Sequence, residues 1–254
     1  MVKNVPIAPS HVLESVDKTA DEADNQPIWD IVGKIRYLSD RTRHELLYAS
    51  KLGTKQASAS IAYQKAAQDA LAYLNATRDL GLRLGGKDRD IKLFGYADAS
   101  FIAGDDSLSQ LGYCFFLTRD SGAISARSMK DKSVSLSSTE SEIKALVEAI
   151  KEAIWLRAIL AELGFPQLEP TVIYQDNTSS IRLCEKVGSE TRTRHIVNRI
   201  NFVREMIETG VVRLVHCPTE HMVADMLTGA RERGLFEYLR TILLSGHWAA
   251  NRMI

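Results

Sequence analysis

The chain has 254 residues, with 32 basic and 32 acidic side chains and hence no formal net charge. Hydrophobic residues at 45% and charged residues at 25% are the proportions of a globular domain and exclude a disordered or fibrous chain. Neutrality also removes the strongly basic balance by which a nucleic-acid-binding domain most simply announces itself, leaving only local charge to serve that purpose.

Residues 1–30 carry Glu14, Asp17, Asp21, Glu22, Asp24 and Asp30 against Lys3 and Lys18, and residues 1–26 read as an acidic, flexible lead-in. Residues 27–85 form a small helical segment of two apolar-periodic stretches, IWDIVGKIRYLSDRTRHELLYASKLG and ASIAYQKAAQDALAYLNATRDLG, each closing near a glycine. The glycines and mixed charges of GLRLGGKDRD break that pattern and mark a domain boundary near Gly85–Asp90.

Strand patterns follow. IKLFGYAD, LGYCFFLT and the stretch from Ala123 to Met129 read as a meander, with Leu111, Tyr113, Phe115 and Leu117 alternating onto one face. A long helix is expected from Thr139 to Leu163, where Ile143, Leu146, Val147, Ile150 and Ile154 share one side and Gly164 stops it. Next come a buried strand TVIYQD, helices over Asn177–Lys186 and Arg194–Thr209, a strand VVRLVH, and a final helical region from Thr219. This order suits an α/β fold, a mixed sheet with helices on its faces. Cys114, Cys184 and Cys217 lack the spacing of a zinc site or a disulfide framework and fit a reducing compartment. No apolar run reaches membrane-spanning length and the N-terminus lacks signal-peptide order, so the expectation is an intracellular protein, cytoplasmic or nuclear, with no membrane association.

Four acids sit where acids need a reason. Asp98 ends the first strand, Glu142 lies in the first turn of the long helix, Asp176 ends TVIYQD and Asp225 precedes the last helix. Converging carboxylates repel one another, and a bound divalent cation is the usual compensation. Two such ions about 4 Å apart can activate water and stabilise the leaving oxygen of a phosphodiester. Each acid also has a structural explanation. Thr139-x-x-Glu142 and Ser137-x-x-Glu140 are both capping boxes, and Asp98, Asp176 and Asp225 suit element ends. Gly104-Asp105-Asp106 reads as a turn. Of the scattered histidines, His221, four residues before Asp225, is the candidate proton carrier. The arginines of residues 182–213 could form a phosphate-facing patch or an ordinary solvated helix face.

The run from GYADASFIAGDDS through STESEIKALVEAIKEAIWLRAIL, followed in order by VIYQDNTSSI, SETRTRHIVNRINFVREMIETG and CPTEHMVADMLTGARERGLFEYLR, resembles the ribonuclease H domain of copia-type LTR retrotransposon polyproteins. The resemblance spans roughly residues 91–245 and implies a ribonuclease H-like mixed five-stranded sheet with flanking helices. It places the family's catalytic, metal-binding acids at Asp98, Glu142, Asp176 and Asp225. Glu142 is preferred to Glu140 because the family's acid precedes the helix's first core residue, here Ile143. It implies two Mg2+ ions, with Mn2+ a plausible substitute, and an RNA/DNA hybrid as substrate, with the RNA strand cut. Asn177, Ser137, Arg194, His195 and His221 are the expected substrate contacts. The helices of residues 27–85 resemble, more loosely, the segment joining reverse transcriptase to ribonuclease H, so a reverse transcriptase polypeptide is a further expected partner.

The departures are visible. RTRHEL stands where the family has Arg-Pro-Asp, ISARSMK lacks a tryptophan, and LTGA has glycine where lysine is usual. The polymerase palm is absent from the sequence, which implies a C-terminal polyprotein piece or a separate gene derived from one. Two further readings stay open: a retroelement-derived binding or interaction module without turnover, and an integrase-like nuclease on the same fold.

Overall fold

The computed structural model describes residues 4–7, 26–51, 61–101, 108–186 and 194–246, with side chains at 26–29, 61–64 and 194–195 left aside. Most of the acidic lead-in and all of Gly104–Asp106 lie outside the described residues.

Three consecutive strands, β1 (Phe94–Ser100), β2 (Gln110–Phe116) and β3 (Ser125–Lys130), form an antiparallel meander. The chain then crosses through a 25-residue helix, α3 (Ser138–Glu162), to β4 (Thr171–Gln175), which pairs parallel with β1. A helical excursion through α4 (Thr178–Glu185) and α5 (Arg194–Glu208) leads to β5 (Val212–His216), parallel to β4. The sheet order is β3-β2-β1-β4-β5, the mixed sheet expected from the element order, with the five strands that the family resemblance implies. The segments before and after the sheet add α1 (Gln26–Arg41), α2 (Ile61–Ala76), the one-turn α6 (Asp225–Thr228) and α7 (Arg233–Ser245).

The expected alternation in β2 is present, but β2 is buried along its whole length. Tyr113 and Phe115 pack with Ile143, Leu146 and Ile150 of α3, whereas Cys114 and Phe116 face a second core. That second core joins Ile35, Ala70 and Tyr73 of the N-terminal helices to Phe94 and Tyr96 of β1 and to Phe236 and Leu239 of α7. A strand covered on both faces reads as a near-continuous apolar run, as LGYCFF does after Gln110. Each large side chain buried this way contributes about 1.5–3 kcal/mol. Among the described residues, no helix is long and apolar enough to cross a membrane.

Other differences have local causes. The first helical stretch ends at Arg41 and continues only in 3-10 turns, at His44–Leu46 and at 49–51. Arg43 turns inward there, donating from Nε to Glu45 (2.7 Å) and through its other nitrogens to the carbonyl and hydroxyl of Thr77. The region after Thr219 is broken into a 3-10 turn, α6 and α7 rather than one helix. α3 starts at Ser138, so its first turn contains Glu140 and places Glu142 beyond it, correcting the expected first-turn position. It ends as expected, with Gly164 taking a left-handed φ of 87° that a side chain would disfavour.

Candidate active site

Asp98, Glu142 and Asp176 come together at the end of the sheet where β1 and β4 finish, each offering a carboxylate oxygen within 4.8 Å of the others. Three elements supply them. β1 carries Asp98 on the face of Phe94 and Tyr96, α3 delivers Glu142 from the opposite layer, and Asp176 follows the last residue of β4. Asp98 and Glu142 are 5% and 6% exposed; Asp176 is half-buried.

Helix capping does not claim Glu142. Ser137 is the N-cap of α3, accepting from the Glu140 amide (3.1 Å), and the Glu140 carboxylate accepts from the Leu136 amide (2.9 Å). Of the two overlapping boxes, the earlier one is used, so Glu142 is left to face the other acids. Glu140 is further tied to the buried Lys144 (3.5 Å).

Burial is the first cause that raises the Glu142 carboxyl well above the ordinary glutamate range, and the charges of Asp98 and Asp176 add to it. Burial likewise raises Asp98, with Asp225 next in effect. Such carboxyls resist ionisation unless a positive charge arrives. Two side chains hold them in place. Thr228 of α6 donates its hydroxyl to Asp98 Oδ2 at 2.5 Å. The fully buried Gln175 donates from Nε2 to Glu142 Oε2 (3.2 Å), while its Oε1 accepts from the Asp176 amide (2.9 Å). Thr219 donates to Asp176 Oδ2 (3.1 Å).

Asp225, at the start of α6, stands beside this trio rather than within it. Its carboxylate is charge-paired with Arg231 and still lies close enough to raise Asp98. The site thus brings three of the four expected acids into one group and sets the fourth against an arginine.

The expected substrate contacts are placed less uniformly. Ser137 is exposed at the α3 N-terminus. Asn177 caps α4, its Oδ1 accepting from the Ser180 amide (3.0 Å). His221 shares a hydrogen bond between Nδ1 and the Tyr238 hydroxyl (3.2 Å) and is not one of the carboxylate group. The side chains of Arg194 and His195 lie outside the described residues. Among the arginines of residues 182–213, Arg204 has a local role and Arg213 lies away from the acids. Arg204 donates to the carbonyls of Leu183 and Cys184 in the last turn of α4 and of Lys186 just after it, and Arg213 stands on β5 in register with Val172, toward the opposite end of the sheet from Asp98.

Gln175, Thr228 and Arg231 escaped sequence reasoning. Thr228 had a signal, since it lies three residues after Asp225 and shares its helix face. Gln175 had only its place next to Asp176.

No protein-family profile matches the chain. It is similar to the retrovirus-related Pol polyprotein from transposon RE2 of Arabidopsis thaliana, 33% identical over 232 residues, covering 91% of this chain and 16% of the polyprotein. It is also similar to the Pol polyprotein from transposon TNT 1-94 of Nicotiana tabacum, 35% identical over 231 residues, 89% of this chain and 17% of that one. Secreted RxLR effector protein 161 of Plasmopara viticola is 40% identical over 135 residues, 52% of this chain and 92% of the effector. The chain therefore spans about a sixth of the length of the Pol polyproteins it matches. Among solved structures, the foamy viral protease-reverse transcriptase in complex with RNA/DNA hybrid superposes with a TM-score of 0.50 at 12% identity, covering 80% of this chain and 26% of that one. LC11-RNase H1 superposes at a TM-score of 0.42 and 16% identity, covering 54% of this chain and 91% of that one.

Proposed function

Because the homologues of this chain are retrovirus-related Pol polyproteins of transposons, we propose that it is a ribonuclease H, a metal-dependent endonuclease that cuts the RNA strand of an RNA/DNA hybrid. The observation that carries this reading is the group Asp98, Glu142 and Asp176, three carboxylates from separate elements, two of them buried. Burying like charges together is costly without a cation. The donors are all carboxylate oxygens, the set that suits Mg2+ or Mn2+ and not a soft metal.

Asp98, Glu142 and Asp176 would hold the metal, with Asp225 as the further ligand if two ions bind. Bound there, divalent ions supply a water that is nucleophilic at neutral pH and positive charge for the leaving oxygen. The chain's own residues prepare the place. Gln175 orients Glu142 and braces the Asp176 backbone, Thr228 aims Asp98, and the half-buried Asp176 leaves one side of the group open to a phosphate. A solved protein of this fold was captured with an RNA/DNA hybrid, and the wide minor groove and 2′-hydroxyls of a hybrid distinguish it from duplex DNA. Residues 27–85 would act as a connection segment and residues 91–245 as the nuclease, with a reverse transcriptase polypeptide as partner.

The test is cleavage of end-labelled RNA/DNA hybrid, duplex DNA and duplex RNA in Mg2+ or Mn2+. The expected result is cutting of RNA in the hybrid alone, lost in Asp98→Asn, in Asp176→Asn and with chelator. Hybrid binding without cleavage, or full activity in either variant, overturns the reading.

A further inference from the structure

Gly229 follows α6 directly, and a Cβ there would lie 3.0 Å from Nη1 and 3.3 Å from Nη2 of Arg231. The bare backbone at 229 leaves room for the Arg231 guanidinium to fold back against α6, where Nη2 donates to Asp225 Oδ1. The pair is largely screened from solvent, with the arginine side chain 25% and the aspartate 13% exposed. The buried Nε of Arg231 has no acceptor, and an orphaned buried donor is unfavourable by about 1–3 kcal/mol. Hydrogen bonding alone therefore does not explain the placement; the neighbouring negative charge does. That influence reaches Asp98, whose carboxyl burial and Asp225 raise and the Arg231 charge, more weakly, lowers.

On the reading that Asp98, Glu142 and Asp176 hold a divalent cation, we propose that Arg231 is the resident counter-charge of Asp225 and competes with any second cation for that carboxylate. A guanidinium and a divalent ion cannot share one carboxylate oxygen without repulsion, and arginine stays charged at every pH the fold survives. The chain then takes one divalent ion tightly at the three-acid group. A second enters only as Arg231 leaves Asp225, and its affinity is lowered by that displacement.

Mn2+ uptake by the purified full chain without nucleic acid, followed by electron paramagnetic resonance, tests this independently of catalysis. Wild type is expected to hold one Mn2+ tightly. Arg231→Gln is expected to gain a second class at least about tenfold tighter than any second class in wild type, within the usual range of coupling between sites, and Arg231→Lys to behave like wild type. Metal-free Arg231→Gln should also melt lower than wild type and recover more on adding Mn2+, which keeps the test readable if the variant is partly unfolded. An unchanged second class in Arg231→Gln, or equal tightening in Arg231→Lys, overturns the competition while leaving the nuclease reading standing. No Mn2+ uptake by wild type overturns the nuclease reading itself, and the competition with it.

Discussion

Gly112 and Thr228 meet so closely that a methyl group on the glycine would sit 2.9 Å from Thr228 Cγ2. Gly112 is the β2 residue directly across from Asp98, and this approach lets α6 settle on the sheet and bring the Thr228 hydroxyl to the Asp98 carboxylate. A glycine in a strand often marks such a close passage.

Gly112→Ala should therefore act on the site through packing. The added carbon would also lie 2.9 Å from Leu227 Cβ and 3.2 Å from the Ala224 carbonyl, so α6 must lift. Overpacking of this kind destabilises by about 1–3 kcal/mol. Thermal unfolding should show that loss together with weaker Mn2+ uptake; a lower Tm with unchanged uptake would mean that α6 does not tune Asp98.

Thr228→Val keeps the branched shape and removes the hydroxyl. The Thr228 bond lowers an Asp98 carboxyl that burial and Asp225 raise, so its loss raises Asp98 further and less of it is ionised near neutrality. The pH at half-maximal Mn2+ uptake should move upward, with uptake approaching that of wild type in alkali, and Thr228→Ser should restore the profile. An unmoved profile would separate Thr228 from the acid.

Metal-free stability should depend on pH in an unusual direction. Asp98 and Glu142 have folded values raised above their ordinary 3.8 and 4.5, so between those values and the raised ones the folded state binds more protons than the unfolded state. Stability then falls as pH rises through that window, the reverse of a carboxylate stabilised by a partner. Mg2+ should flatten the slope by favouring the ionised pair. Urea unfolding at pH 5 and pH 8, with chelator and with Mg2+, measures this; equal slopes in both would contradict it.

Lys144 sits 4% exposed between Asp131 (2.8 Å) and Glu140 (3.5 Å), with hydroxyls of Ser133 (3.0 Å) and Ser135 (2.9 Å) as further acceptors. It ties residues 131–135 onto the first turns of α3. Lys144→Met strands two carboxylates in poor solvent and should destabilise by about 3–5 kcal/mol. Adding Asp131→Asn and Glu140→Gln should recover part of the loss in chemical denaturation; no recovery would point to the packing of the lysine stem instead.

The sheet was readable because its signals are local. TVIYQD and VVRLVH show their strand character within a few residues, and Gly164 marks the α3 stop where backbone geometry needs it. Asp98 and Asp176 stood out for the same reason, as acids ending apolar strands. The supporting contacts were not readable, since Thr228 reaches Asp98 across 130 positions of sequence and no periodicity encodes such a partnership. Capping alone left Glu142 and Glu140 equivalent, the choice of Glu142 came from the family resemblance, and the structure shows that Ser137 is the N-cap. The break after Arg41 was hidden because Arg43 looks like a surface helix residue, while its partner Thr77 comes from a distant stretch. The substrate contacts were the least legible, because capping and phosphate binding draw on the same residue types.

Arg83 accounts for one more property of the chain. Its amide donates to the Leu244 carbonyl (2.7 Å) and its carbonyl accepts from the Gly122 amide (2.8 Å), stitching the approach to the sheet between the β2–β3 connection and the end of α7. Behind that stitch, Ile35 and Tyr73 lie in the same core as Phe94, Phe116 and Phe236. A gene fragment beginning at residue 86 would present this aromatic floor to water and be driven toward aggregation. The smallest portable form of this chain thus includes the helices upstream of the sheet, and any transplant of it into another polypeptide must carry them as cargo.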